Sequence, residues 1–245
     1  MSTGLSTRIF EEMRTAIINE IYPIGSKLPT ERELAEKYGT GRFAVREAIA
    51  MLTRDGFVET VPQSGSYVKD FYSDGSLDTL VQTLRIRRVI ERETLVSLLK
   101  FRVTVETGAA AGAALRITAG DLAYLRANLE KKEANLGNIA VLTQCDYDFH
   151  YKVVSISGDI VSRLVFQSFK PIYSFFTEFF YSLKEAPRTS LELNRVLVKA
   201  LEQGDGRSSF KAMEAILQFA EHKIFEAVGD REQLIVIGRV NRGGG

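Results

Sequence analysis

Hydrophobic period limits what this chain can become more than any other feature, and near the start it changes abruptly. Ile9, Met13, Ile17 and Ile21 recur every four residues, predicting an amphipathic helix that ends at Tyr22-Pro23-Ile24-Gly25. Pro29 leads into Thr30-Glu31-Arg32-Glu33, a capping-box pattern that opens a helix burying Leu34, Ala35 and Tyr38 and stopping at Gly39. A third helix buries Val45, Ala48, Ile49 and Leu52, at spacings of three and four, and stops at Asp55-Gly56. The period then falls to two. Residues 57–61 and Ser66-Tyr67-Val68, flanking Pro62-Gln63-Ser64-Gly65, predict a small hairpin.

Helix, helix, turn, helix, hairpin is the order of a winged helix-turn-helix. Residues 71–79 are a polar connector, and beyond them no strand signal returns until the extreme C-terminus. Helical patterns cover 80–89, 93–115, 119–134, 139–156, 160–183, 190–203 and 208–227, with Pro171 expected to kink the fifth. Short joints such as Ser157-Gly158-Asp159 and Gly204-Asp205-Gly206 favour antiparallel neighbours. The expected fold is therefore mainly α: an N-terminal winged helix-turn-helix with a small β-hairpin wing, plus a C-terminal all-helical antiparallel bundle. The expected domains are 1–70 for the winged helix, 71–79 for the linker, 80–228 for the helical domain and 229–245 for a tail.

Composition narrows the setting. No apolar run is long enough to span a bilayer, and residues 1–10 lack a secretory pattern. The single cysteine, Cys145, fits a reducing compartment, so the cytoplasm is the simplest expectation. Residues 1–70 carry nine Lys/Arg against ten Asp/Glu, so any nucleic-acid contact has to come from a few well-placed cations rather than bulk charge. No Gly-rich phosphate loop, serine elbow or cysteine–histidine constellation marks an enzyme, although Asp146 with His150 has the makings of an acid–base pair.

The stretch Gly25-Ser26-Lys27-Leu28-Pro29-Thr30-Glu31-Arg32-Glu33-Leu34-Ala35 resembles the signature of the GntR family of regulators. Arg42, Val45-Arg46-Glu47-Ala48, Leu52, Gly56 and the wing Gly65-Ser66-Tyr67-Val68 continue the match in order, over residues 8–69. Helical geometry agrees with the role this implies. Arg42 and Arg46 lie one turn apart beside the apolar stripe, and guanidinium can pair with guanine O6 and N7 in a major groove. Arg32 begins the preceding helix, placed for phosphate or an adjacent base, and the wing tip Gln63-Ser64-Gly65 would meet the minor groove or backbone. Without this context the arginines would read as a solvated helix face. Two positions depart from the family pattern: Gly41 stands where a small hydroxyl residue is usual, and Phe43 where smaller residues are common, free to touch a thymine methyl or pack on the domain.

The helical half resembles the ligand-binding FCD domain of the FadR branch of that family. Arg102-Val103-Thr104-Val105-Glu106, Asp146-Tyr147-Asp148-Phe149-His150 and Ser157-Gly158-Asp159 carry the likeness. Arg102 and Glu106 fall on the face of Leu95, Leu98, Leu99, Ala109 and Ala113, so Arg102 either pairs with Glu106 or holds an effector's carboxylate or phosphate. Asp146 and His150 lie beside Leu142, Phe149, Val153 and Ile156. Many domains of this type complete a metal site with two later histidines. Here Asn194 and Ile216 align with those positions, and His222 faces away from a stripe of Phe210, Met213, Leu217 and Ile224. The expectation is no metal cofactor, with Asp146 and His150 the remnant ligands of any weak site. Eight aromatics between Phe166 and Tyr181 serve as core, dimer contact or apolar cavity. Together the resemblances imply a homodimer binding a palindromic double-stranded DNA operator. Its affinity would be modulated by a small acidic effector, a fatty acyl-CoA or organic acid, contacting Arg102, Glu106, Asp146, His150 and Asn194. The alternative is a constitutive DNA binder whose helical half only dimerises.

Overall fold

The computed structural model describes residues 2–229. Its contacts divide the chain between Arg88 and Val89 into two units.

The first unit is built on α1 (Ser2–Ile18), α2 (Glu31–Lys37) and α3 (Arg42–Arg54). Thr30 caps α2 as its sequence predicts: its side chain accepts from the Glu33 N–H while the Glu33 carboxylate accepts from the Thr30 N–H at 2.7 Å. Ile9, Met13 and Ile17 of α1 share one buried cluster with Leu34, Val45, Ala48, Leu52 and Phe57. The four-residue spacing overruns at its end, however. α1 closes at Ile18, and Ile21 lies beyond it, 68 % exposed. Tyr38, expected as core, is the half-buried C-cap of α2.

Strands β1 (Val58–Val61) and β2 (Gly65–Val68) pair antiparallel, with Val58 opposite Val68 and Val61 opposite Gly65. The segment before α2 joins them. Leu28 N–H donates to the Ser66 carbonyl at 2.8 Å, and Val68 N–H to the Ser26 carbonyl at 2.9 Å. Gly65 has φ 129°, and a β-carbon there would fall 2.7 Å from Lys27 Cε, so the wing requires glycine at this point.

The stretch expected as a linker is partly core. Phe71 is buried with its ring 5.4 Å from that of Phe57, and a Ser76/Thr79 capping box opens α4 (Leu77–Arg87). This helix, which the sequence pattern assigns to the second domain, belongs to the first unit. Its Arg87 Nε donates to the Ile18 carbonyl at 2.7 Å, and the Thr79 hydroxyl to the Asp55 carbonyl at 3.4 Å.

The second unit is helical throughout its described residues: α5 (Arg92–Ala114), α6 (Ala119–Glu133), α7 (Ile139–Ile156), α8 (Ile160–Ser168), α9 (Lys170–Ser182), α10 (Ala186–Glu202) and α11 (Gly206–Val228). α5 packs on α11 and α7, α7 on α6 and α9, and α10 on α11 and α6. The single kinked helix expected over 160–183 is two helices. Pro171, in the first turn of α9, lacks the N–H that would continue the ladder, and Phe169 ends one helix and begins the next. Phe210, expected in the core, is 39 % exposed near the start of α11. Of the expected tail, 230–245 lies outside the described residues.

Replacing Thr30 by Ala removes the side-chain half of the α2 cap and should lower stability by about 1 kcal/mol. A shift of the urea midpoint at unchanged m-value is the measurement. An unchanged midpoint would mean that packing alone holds α2.

Candidate functional site

Two groups of residues stand out, one exposed and one buried. On α3, Ala44, Val45, Ala48, Ile49 and Leu52 are buried, which turns Arg42 and Arg46 outward one turn apart. Gly41 forms the N-cap without a side-chain hydrogen bond, so the first-turn N–H groups of α3 have no side-chain cap there. Phe43 is 66 % exposed beside Arg42, so it is not packed into the domain core. Arg46 forms a forked pair with Glu31, Nε to Oε1 at 3.0 Å and Nη2 to Oε2 at 2.7 Å, which holds the Glu31 carboxyl below its usual value. Pairs this exposed are worth little net energy and exchange readily for phosphate or base contacts.

Arg32 is exposed on α2, 4.0 Å from Glu36. At the wing tip Gln63 adopts φ 63° and is exposed with Ser64, whose hydroxyl lies 2.7 Å from that of Tyr67. Lys27 went unselected by sequence. It is exposed, runs across Gly65 and sits 5.9 Å from the centre of the Tyr67 ring. Its backbone bridge to Tyr67 puts a cation beside the wing.

The second group lies inside the helical unit. Arg102, Glu106, Asp146, His150 and Asn194 are all buried, as the helical periods predict. Arg102 donates from Nε to Glu106 at 2.6 Å and from Nη2 to the Tyr173 hydroxyl at 3.0 Å, with its guanidinium 4.4 Å from the Tyr173 ring centre. His150 Nδ1 meets the other side of the Glu106 carboxylate. Tyr173 donates to Asp146 Oδ2 at 2.6 Å, and Tyr181 donates to Oδ1. Lys132, on α6, is also fully buried and joins them, Nζ to Asp146 Oδ1 at 3.1 Å.

Burial disfavours ionised carboxyls, yet the neighbouring groups outweigh it here. Arg102 and His150 hold Glu106 low, and Lys132, His150 and Arg102 hold Asp146 low. Burial leaves the Lys132 ammonium below its ordinary value, an effect that Asp146 offsets only in part. The hydroxyls of Tyr173 and Tyr181 rise well above their ordinary values through burial, which keeps them protonated and donating. Beside this network is a cavity of about 10 Å³ bordered by Arg102, Asp146, His150, Thr177, Ser190 and Ile216. That is room for roughly one water molecule. The Thr177 hydroxyl on its wall is buried and has no hydrogen-bond partner among the described residues.

Known proteins share both halves. Residues 5–68 match the bacterial regulatory proteins of the gntR family, and residues 97–219, about half of the chain, match the FCD domain. The chain belongs to the GntR family, with an FCD domain. Similar proteins include the putative L-lactate dehydrogenase operon regulatory protein of Escherichia coli, 26 % identical over 88 % of this chain and 84 % of that one. The Uxu operon regulator of Haemophilus influenzae is 29 % identical over 90 % and 82 %. The fatty acid metabolism regulator protein of Klebsiella pneumoniae is 26 % identical over 77 % of each. The solved structure titled for Lar, which controls expression of the Listeria monocytogenes agr system, shares the fold with a TM-score of 0.59 at 17 % identity, over 90 % of this chain and 96 % of that one. Regulators of the GntR family bind DNA operators and typically act as dimers. No helix among the described residues is long and apolar enough to cross a membrane.

The donor set of this FCD domain does not suit a transition metal. Asp146 has both oxygens engaged by tyrosines and Lys132, and His150 has one nitrogen on Glu106. Ile216, on the cavity wall, offers no donor, and His222 is exposed on the far side of α11. With its amide oxygen turned toward α6, Asn194 accepts from Lys132 at 3.2 Å. Lys132 is the residue that sequence reading passed over. Its signal was its place at the third position of the Leu125, Leu129, Lys132 stripe, a charge on a buried face.

Glu106→Ala would strand Arg102 as a buried, unpaired cation and should lower stability by about 3–5 kcal/mol in denaturant unfolding. Glu106 and Asp146 have folded-state values below their unfolded ones, so their contribution is complete above about pH 4 and is lost as pH falls further. The thermal midpoint should therefore drop on the acid side, and less steeply in Glu106→Gln. Equal slopes in the two proteins would remove Glu106 from the titration.

Proposed function

We propose that this chain is a cytoplasmic, homodimeric transcription regulator that binds a palindromic operator and is tuned by a small acidic effector in its FCD domain. The DNA half rests on one observation: Arg42 and Arg46 are exposed one turn apart on α3 above a fully buried stripe. In this reading they meet base edges, Phe43 touches a thymine methyl, and Arg32 and the wing tip Gln63-Ser64-Gly65 fix register on the backbone. Two such helices related by a two-fold axis read a palindrome.

The effector half rests on the cavity beside Asp146 and His150, with its unpartnered Thr177 hydroxyl and the Arg102 guanidinium behind it. A compact organic acid would need far less repacking here than a fatty acyl-CoA. Phe166, Phe169, Phe176 and Phe180 are already buried against their neighbours, so an acyl chain would have to repack them. The relative named for an L-lactate dehydrogenase operon is in keeping with such an acid. One observation favours the constitutive alternative: Arg102, Glu106, Asp146 and Lys132 already satisfy one another's charges.

Arg42→Ala and Arg46→Ala should each weaken operator binding by about 1–3 kcal/mol while leaving the thermal midpoint unchanged. Arg32→Ala should weaken all sequences evenly and flatten the salt dependence. Fluorescence anisotropy on operator and scrambled duplexes measures both. Unaltered operator affinity in both α3 variants would refute the DNA assignment.

For the effector, a panel of small hydroxy, keto and dicarboxylic acids should include one that raises the thermal midpoint and shifts operator affinity. Thr177→Val should weaken that acid about tenfold, the value of one lost hydrogen bond. No shift with any acid would favour the constitutive reading.

A further inference from the structure

We infer that Lys27 is the cation of the wing: carried on a segment outside the hairpin, its ammonium meets a DNA phosphate beside the wing tip. The inference rests on the DNA-binding reading above and adds a contact that neither α3 nor the hairpin supplies. Residues 57–68 hold no lysine or arginine, and their one acid, Glu59, is exposed. A hairpin of that composition has nothing to attract a phosphate backbone and one charge that repels it. The segment before α2 changes this by pairing with β2. Gly25 N–H donates to the Val68 carbonyl at 2.8 Å, Leu28 N–H donates to the Ser66 carbonyl at 2.8 Å, and Lys27 forms a backbone bridge with Tyr67.

Strand geometry then decides where the side chain goes. Leu28, Val58 and Val68 are buried, so the alternate positions Lys27, Glu59 and Tyr67 share the outer face. Tyr67 stands between the acid and the lysine. Gly65 leaves a notch on this face: a β-carbon there would fall 2.7 Å from Lys27 Cε and 3.5 Å from Nζ. The stem of Lys27 therefore crosses Gly65 toward the tip residues Gln63 and Ser64, with Nζ 5.9 Å from the Tyr67 ring centre. The hydroxyls of Ser64 and Tyr67 lie 2.7 Å apart on an exposed tip. No acid lies within 4 Å of this ammonium among the described residues, whereas Arg32, Arg46, Arg54 and Lys69 each have one. An unpaired ammonium with two hydroxyls beside it offers a phosphate one charge and several donors. Such a contact fixes register and carries no base information.

The test uses the full-length protein, a duplex that it selects from a random pool, and a scrambled duplex of the same length. Fluorescence anisotropy over a range of KCl concentrations gives the slope of log affinity against log salt. Lys27→Met keeps an apolar stem over Gly65 and deletes the charge. It should weaken both duplexes by the same factor and lower the slope by about one. The thermal midpoint and the preference for the selected duplex should not change. Lys27→Arg should keep the wild-type slope, and Arg42→Ala should lose the preference instead. An unaltered slope in Lys27→Met, with Arg42→Ala behaving as stated, would overturn this inference and leave the DNA reading standing. So would a lowered thermal midpoint at unaltered slope, which would make Lys27 a structural residue of the wing. A wild type that selects no duplex would overturn the DNA reading and this inference with it.

Discussion

A carboxylate enclosed by aromatic rings cannot be left unpaired, and the helical unit is organised around satisfying the one on Asp146. Its oxygens take Tyr173 and Tyr181 from α9 and Lys132 from α6, while Lys132 reaches on to Ser190 and Asn194 of α10. α6 and α9 therefore meet α7 at one side chain, and α10 joins them through Lys132 and Tyr181. The neighbouring Glu106 does the same on a smaller scale, joining Arg102 on its own helix to His150 on α7. Buried ion networks of this kind add little net stability compared with a well-packed apolar core. Their effect is on geometry. Each bond needs two helices in register, so a helix that rotates or slips loses bonds it cannot replace, whereas leucines would repack.

The winged unit handles charge in the opposite way. Its nine cations and ten anions nearly cancel over residues 1–70, and the groups that matter are kept outside. What orients Arg42 and Arg46 is the apolar side of the same helix, where Val45, Ala48 and Leu52 are fully buried. Glu31 holds Arg46 extended through a pair that solvent already weakens. Near-neutral charge with a fixed pair of arginines favours sequence reading over indiscriminate attraction to any duplex.

Much of this was legible in the sequence because it depends on local rules. The α2 capping box, the buried stripe of α3, the two-residue period of the wing and the inward faces of α5 and α7 follow from spacing alone. Misreadings arose where tertiary contact decides. Ile21 keeps the spacing of α1 but lies past the end of the helix, and α4 has a helical pattern that says nothing about which core it joins. Lys132 sits in the run Glu130-Lys131-Lys132-Glu133, which composition reads as a solvated patch. Only its three-residue step from Leu129 puts it inside, and no local rule pairs it with Asp146 fourteen positions on. The size of the cavity was beyond reach for a different reason. Side-chain volumes along α9 fix how many aromatics must be accommodated, but whether they enclose space or fill it depends on how α9 meets its neighbours.

The filled pocket constrains how any effector can act. In the closed form Arg102, Glu106, Asp146, His150 and Lys132 are partnered, while the Thr177 hydroxyl on the cavity wall has no partner among the described residues. A ligand shifts a conformational equilibrium only by the difference between its affinities for the two states. An anion larger than water has no room in the closed state, so nearly all of its binding energy would be expressed in an opened one. Opening by displacing Phe176 or Phe180 exposes apolar surface, whereas opening by separating Tyr173 from Asp146 leaves a buried acceptor that an acid cannot satisfy unless it carries a hydroxyl or a proton. A ligand with a hydrogen-bond donor next to its carboxylate can replace the tyrosine on Asp146 while placing its charge toward Arg102. A simple fatty acid cannot do both. In the proposed effector reading, a hydroxy acid would therefore suit this network better than a simple fatty acid.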